Sequence, residues 1–125
     1  MIHHVSVGTS DVARARRFYD AVLLPLGYRL LGETDRSLGY GVTAYTFSVE
    51  TPVDGAPASA GNGVHICFEA RDREAVDAFH RHGVVSGGRD AGVPGLRPEY
   101  DANYYGAFLF DPDGNKVEAV TYSAT

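Results

Sequence analysis

Tyr105-Gly106-Ala107-Phe108-Leu109-Phe110-Asp111-Pro112-Asp113-Gly114-Asn115-Lys116-Val117-Glu118 is the stretch from which the rest of the chain can be read. An apolar run ends at Phe110, Asp-Pro-Asp-Gly follows, and a second apolar run covers 117–122. Asp113-Gly114 can take the positive φ that a tight turn between antiparallel strands requires, so the two runs predict a β-hairpin. Glu118 then stands near the start of the last strand. Its neighbours Val117 and Ala119 are apolar and, at a side-chain period of two, point the other way, which isolates a carboxylate on one face. A strand-face glutamate is ordinarily just solvated. Two histidines elsewhere give this one another meaning.

His4 and His65 each open a strand of the same design. In Ile2-His3-His4-Val5-Ser6-Val7, the valines share one face and His4 shares the other with Ser6. In Val64-His65-Ile66-Cys67-Phe68-Glu69, the faces divide as Val64, Ile66 and Phe68 against His65, Cys67 and Glu69. Two imidazoles and a carboxylate at like places on three strands are a set able to converge on a divalent metal.

Composition frames this idea. At 125 residues the chain is long enough for one domain, able to bury roughly two thirds of its unfolded surface. Sixteen acidic against eleven basic residues give a formal charge of −5, which argues against nucleic acid or an anionic membrane as partner. No apolar run approaches the roughly 20 residues that span a bilayer. The single cysteine, Cys67, has no internal disulfide partner, and the first residues lack the basic and apolar regions of a secretion signal. A reducing cytoplasm is the expected location. Cys67 reads as a small buried or cavity-lining thiol in preference to a nucleophile.

In chain order, Ser10-Asp11 supplies an N-cap for a helix to about residue 23, with Val12, Ala15, Phe18 or Tyr19, and Val22 on one face. Arg14, Arg16 and Arg17 fall off that face and read as solvated. Pro25 and Gly27 end the helix, and strands are predicted over about 28–32, 38–42 and 44–50. Residues 51–63, rich in Pro, Gly, Ala and Ser, read as a linker. After it the pattern recurs at an offset of 61 residues: His4 falls on His65, Val5 on Ile66, Val7 on Phe68, Asp11 on Asp72 and Phe18 on Phe79. Asp72 therefore caps a second helix, predicted over 73–82 with Gly83 as its stop, and His80 and His82 read as helix-end surface residues. Residues 87–103 show no period and read as a long irregular segment, of the kind that covers a site or joins an interface.

With these residues in view the chain resembles the vicinal oxygen chelate superfamily, which includes glyoxalase I, methylmalonyl-CoA epimerase, extradiol dioxygenases, and fosfomycin and bleomycin resistance proteins. The resemblance rests on His4-Val5-Ser6-Val7 with Ser10-Asp11 and Phe18-Tyr19, on His65-Ile66-Cys67-Phe68, and on Asp111-Pro112-Asp113-Gly114 with Glu118. It covers essentially the whole chain. It implies an α+β fold of two tandem βαβββ modules, forming an incomplete barrel within one domain over 1–125: a first module to about residue 50, the linker, and a second from about 64. It also implies that His4, His65 and Glu118 hold one divalent ion (Zn, Ni, Mn, Fe or Co), with Glu118 the catalytic candidate, and that small members pair as homodimers with shared sites.

The strand over 44–50 lacks the fourth ligand, Glu or Gln, that glyoxalase I and the epimerase carry there; Thr46, Phe47 and Ser48 occupy its middle, and Glu50 is the one carboxylate available. A three-ligand site keeps more positions open for water or substrate. The residues expected around the cavity are Tyr45, Arg97, Tyr100, Asn103, Tyr104 and Tyr105, with Arg97 suited to a substrate carboxylate or phosphate and the tyrosines to flat walls with polar tips. Two functions follow. One is a metal-dependent enzyme, a glyoxalase-like lyase or isomerase, dioxygenase or thiol transferase, acting on a small oxygen-rich substrate. The other is a metal-free binding protein of the bleomycin resistance type.

Overall fold

In the computed structural model, which describes residues 1–125, Asp11 caps the first helix as the sequence predicts. Its carboxylate accepts the Arg14 amide, and α1 runs over Val12–Leu23 with Ala15, Phe18, Tyr19 and Val22 buried. One 3₁₀ turn, Leu24–Leu26, continues it, and Gly27 at φ 84° stops it. Around this helix β1 (Val5–Gly8), β2 (Arg29–Glu33), β3 (Ser37–Gly41) and β4 (Tyr45–Glu50) form a sheet in the order β1-β4-β3-β2, with β1 parallel to β4 and the other pairs antiparallel. The second half repeats the plan. β5 (His65–Glu69), α2 (Arg73–Val85), β6 (Arg89–Leu96), β7 (Tyr105–Phe110) and β8 (Lys116–Thr121) give the order β5-β8-β7-β6, with β5 parallel to β8. The architecture is α+β, two tandem βαβββ modules whose sheets do not close into a barrel.

One core serves both modules. Phe47 on β4 meets Phe68 on β5 edge to face at 5.1 Å, and Tyr28 meets Phe68 at 5.5 Å, so the halves are sealed together within the chain. Each sheet consequently has a face turned to the helices and a face left open. The alternation read from the sequence sorts them: Val5 and Val7 pack on the core, while Ser6 on the open face bonds the Ser48 hydroxyl at 2.7 Å.

Three local expectations are corrected. α2 does not stop at Gly83 but runs on to Val85, because this glycine is there for packing: a Cβ on it would lie 2.3 Å from Leu109 Cδ1. The segment 87–103 contains a strand, β6, whose Gly92, Pro94 and Gly95 erase the period-two signal and whose pairing with β7 is broken by bulges. Proline is tolerated there because β6 is the sheet edge. The turn 111–115 is longer than a two-residue hairpin, and of its residues only Gly114 takes positive φ, at 91°.

That turn also has partners the sequence reading left out. Asp111 is buried and accepts from the Tyr19 hydroxyl at 2.6 Å and from the Asp113 amide, Asn115 amide and Asn115 Nδ2, each at 2.9 Å. Burial, then the Asp111 carboxylate, raise the Tyr19 phenol well above its ordinary value, so it stays a donor. Asp113 accepts from the Thr9 hydroxyl at 2.6 Å, the Ser10 amide at 2.9 Å and the Arg14 guanidinium at 2.8 Å. The turn thus clamps the second module onto the start of α1. Arg14 and Arg16 are correspondingly paired, the latter with Asp20 and Glu33, and are not simply solvated.

Candidate metal and substrate site

β5 and β8 run in a register that sets Cys67 opposite Glu118 and His65 opposite Lys116, and β7 places Phe108 on the far side of Glu118. Cross-strand partners share a face. His65, Cys67, Phe108, Lys116 and Glu118 therefore stand together on the open face of the second sheet, while Val117 and Ala119 turn to the core. His65 Nε2 lies 3.1 Å from Glu118 Oε1, and the Tyr104 hydroxyl donates to Glu118 Oε2. Burial first, then that carboxylate, push the Tyr104 phenol up, which keeps it protonated and donating at neutral pH.

Glu118 is only 1% exposed although it lies on an open face. A carboxylate taken out of water needs compensation. The only basic group within ion-pair distance of it is His65, and the other groups on its oxygens are Tyr104 and the Cys67 thiol, none of them a permanent cation. The Cys67 sulfur is open to solvent at the sheet surface, yet the protein around it, followed by Glu118, pushes the thiol up to about 12. Crowding and a neighbouring carboxylate act in the same sense on it. A thiol so held is a poor nucleophile at neutral pH.

His4 does not join this group. It is exposed before β1, with Nδ1 2.8 Å from His3 Nδ1 and Nε2 3.5 Å from the Tyr45 hydroxyl, and it meets the second module only where it shares a hollow of about 190 Å³ with Cys67. No three His, Cys, Asp or Glu side chains of one chain come close enough together to hold a metal ion. The set His4, His65 and Glu118 is thus not assembled within a chain, because β1 and β5 belong to separate sheets that do not close on each other. Of the three, only His65 and Glu118 stand together within one chain. Glu50 is exposed and lines a groove of about 700 Å³ on the first sheet with Tyr45, Ser37 and Ser48.

Tyr100 and Tyr104 line a cavity of about 400 Å³ with His65, Phe108, Lys116 and Glu118. The Arg97 guanidinium lies over the Phe108 ring, 5.8 Å from its centre. Asn103 is exposed in the β6–β7 loop, its amide held by Asp101. Tyr105 is a correction: it faces the helix side, donating to Asp77 on α2 at 2.7 Å with Arg73 over its ring, so it does not line the cavity. Strand alternation explains this, since a residue one step before Gly106 faces away from Phe108. Tyr45 lies with His4 on the first module. Lys116 and Phe108 were not anticipated, although stepping back two residues from Glu118 gives Lys116, and pairing the hairpin gives Phe108.

The comparisons with known proteins agree with this architecture. The family model described as the glyoxalase/bleomycin resistance protein/dioxygenase superfamily matches residues 1–119. A solved structure of a glyoxalase/bleomycin resistance protein from Albidiferax ferrireducens T118 is 39% identical, with TM-score 0.86 over 94% of this chain and 95% of that one. The fold alone is shared with a glyoxalase-related enzyme from Fulvimarina pelagi (16% identity, 96% and 86% covered, TM-score 0.75). The same holds for a glyoxalase/bleomycin resistance protein/dioxygenase family enzyme from Burkholderia phytofirmans PsJN (17%, 98% and 98%, TM-score 0.74). Among curated proteins there is no match. The chain belongs to the glyoxalase/bleomycin resistance protein/dioxygenase superfamily, which includes many enzymes.

Proposed function

We propose that the protein is a metal-dependent enzyme acting on a small oxygen-rich molecule, with His65 and Glu118 of one protomer and His4 of a partner protomer holding one divalent ion. The observation that carries this reading is the buried Glu118 carboxylate, which has no permanent cation within ion-pair distance. When bound, such an ion stabilises negative charge developing on two neighbouring substrate oxygens. The chain's own residues do the rest. Tyr104 fixes Glu118 through Oε2, which leaves Oε1 directed at His65 and the cavity. Tyr100 and Phe108 wall the substrate and exclude water from it.

A second reading has its own support: His65 and Glu118 satisfy one another in a single chain, as a metal-free binder of the bleomycin resistance type requires. Metal analysis of untagged protein separates the two. The enzyme reading expects about one divalent ion per site, lost in His65→Ala and Glu118→Gln with folding retained, because His65 lies on a cavity wall. Protein that stays metal-free after reconstitution with each candidate ion overturns it in favour of the binder.

A further inference from the structure

We propose that the ligand of this site is an oxyanion on an apolar body, with its charge received by Lys116 and Arg97, the two cations against Phe108. The inference rests on reading the 400 Å³ cavity as the ligand site, but not on the metal; Lys116 lines that cavity, and Arg97 lies over Phe108, one of its walls. Lys116 Nζ lies 5.0 Å from the centre of the Phe108 ring and the Arg97 guanidinium carbon 5.8 Å from it, so two cations share one aromatic platform beside His65. Neither forms an ion pair within the chain, a state they share with Arg17, Arg29, Arg36, Arg73 and Arg89, so what sets them apart is that both lie against one ring. Two cations set against one ring at the edge of a cavity, in a chain with net charge −5, are placed to receive an anion.

The backbone makes room for one of them. A Cβ on Gly92 would lie 3.4 Å from Arg97 Nη2, and one on Gly95 would lie 3.2 Å from Nη1. These two glycines of β6, which obscured the strand in the sequence, leave open the space the guanidinium occupies. Nη2 spends one hydrogen on the Val93 carbonyl at 2.8 Å, fixing the group and leaving its other N–H donors free. Glu118 is engaged with His65 and Tyr104 and Asp101 with the Asn103 amide, while Glu99, on the same loop as Arg97, is exposed and pairs with neither cation. Tyr100 and Tyr104, 5.0 Å apart, supply the apolar wall for the body of the ligand. A planar carboxylate or a phosphate ester meets all of these features, and a neutral ligand leaves both cations unanswered.

The test is a titration of the purified protein, with and without EDTA, by isothermal calorimetry and amide chemical shifts. The probes are benzoate, its neutral isostere benzamide, and inorganic phosphate. Either anion is expected to bind with shifts centred on β6, β7 and β8, at least tenfold tighter than benzamide, and the anion preferred assigns the class as carboxylates or phosphates. Lys116→Gln and Arg97→Gln, both changes at solvent-accessible side chains, should each weaken binding about tenfold, while Arg36→Gln, on the other module, leaves it unchanged. Anion preference that survives EDTA upholds the inference even if the protein proves metal-free. Benzamide binding as well as benzoate, no binding of either anion, or anion binding indifferent to both substitutions overturns it.

Discussion

Asp111 shows how much one side chain in a turn can hold. Its carboxylate takes four hydrogen bonds, one from Tyr19, a residue 92 positions earlier and fully buried. Asp111→Ala leaves the Tyr19 hydroxyl and the Asn115 amide without partners inside the protein, at a cost on the order of 3 kcal/mol. Urea denaturation should register that loss, with Asp111→Asn, which keeps one acceptor oxygen, losing less. An Ala variant as stable as the parent would show the clamp to be dispensable. The sequence reveals Asp-Pro-Asp-Gly as a turn because turn chemistry is local. It does not reveal where the carboxylates reach, because Thr9, Arg14 and Tyr19 are brought to them by the packing of one module on the other.

At the scale of elements, helices and most strands were legible and β6 was not. The caps Asp11 and Asp72 and the apolar stripes behind them are short-range signals, and the structure places α1 and α2 where those signals put them. Gly83 marks where such a signal misleads. Glycine late in a helical pattern reads as a stop, yet here it lies inside α2 against Leu109 on β7 and Val22 on α1. Gly83→Ala gains up to about 1 kcal/mol of helix propensity. It also forces a methyl into a filled site, costing roughly 1–3 kcal/mol. The net expectation is a lower thermal midpoint for the variant by calorimetry; a raised midpoint would mean that the helices part easily at this point. The candidate site divides in the same way. His65 and Glu118 stand on strands whose alternation is clear, and they meet; Tyr105 does not join them, because the same alternation along β7 sends it to the helix side, a distinction lost when it is grouped with Tyr104.

For the molecule as a whole, the repeat read from the sequence gives two half-barrels, and each leaves a sheet face uncovered. The shared core holds both halves in one chain, so a partner would meet these open faces without exchanging modules through the linker. A homodimer joining the first sheet of one protomer to the second sheet of the other would bring His4 to His65 and Glu118. Metal and dimerisation are then linked. Sedimentation of dilute protein should show the dimer tightening when a divalent ion is added and loosening in His4→Ala, whereas a monomer that keeps one tightly bound ion at every concentration rules the shared site out. The two modules, alike in plan, differ in their connections: β6 and β7 are joined by eight residues where β2 and β3 are joined by three, and β7 and β8 by five where β3 and β4 are joined by three. The longer connections are the loop bearing Arg97, Tyr100 and Tyr104, and the turn bearing Asp111 and Asp113. A duplicated unit has thus specialised by insertion. One longer connection carries the aromatic wall of the cavity and the other ties the two modules together, so the second module holds both and the first is left as the plain half.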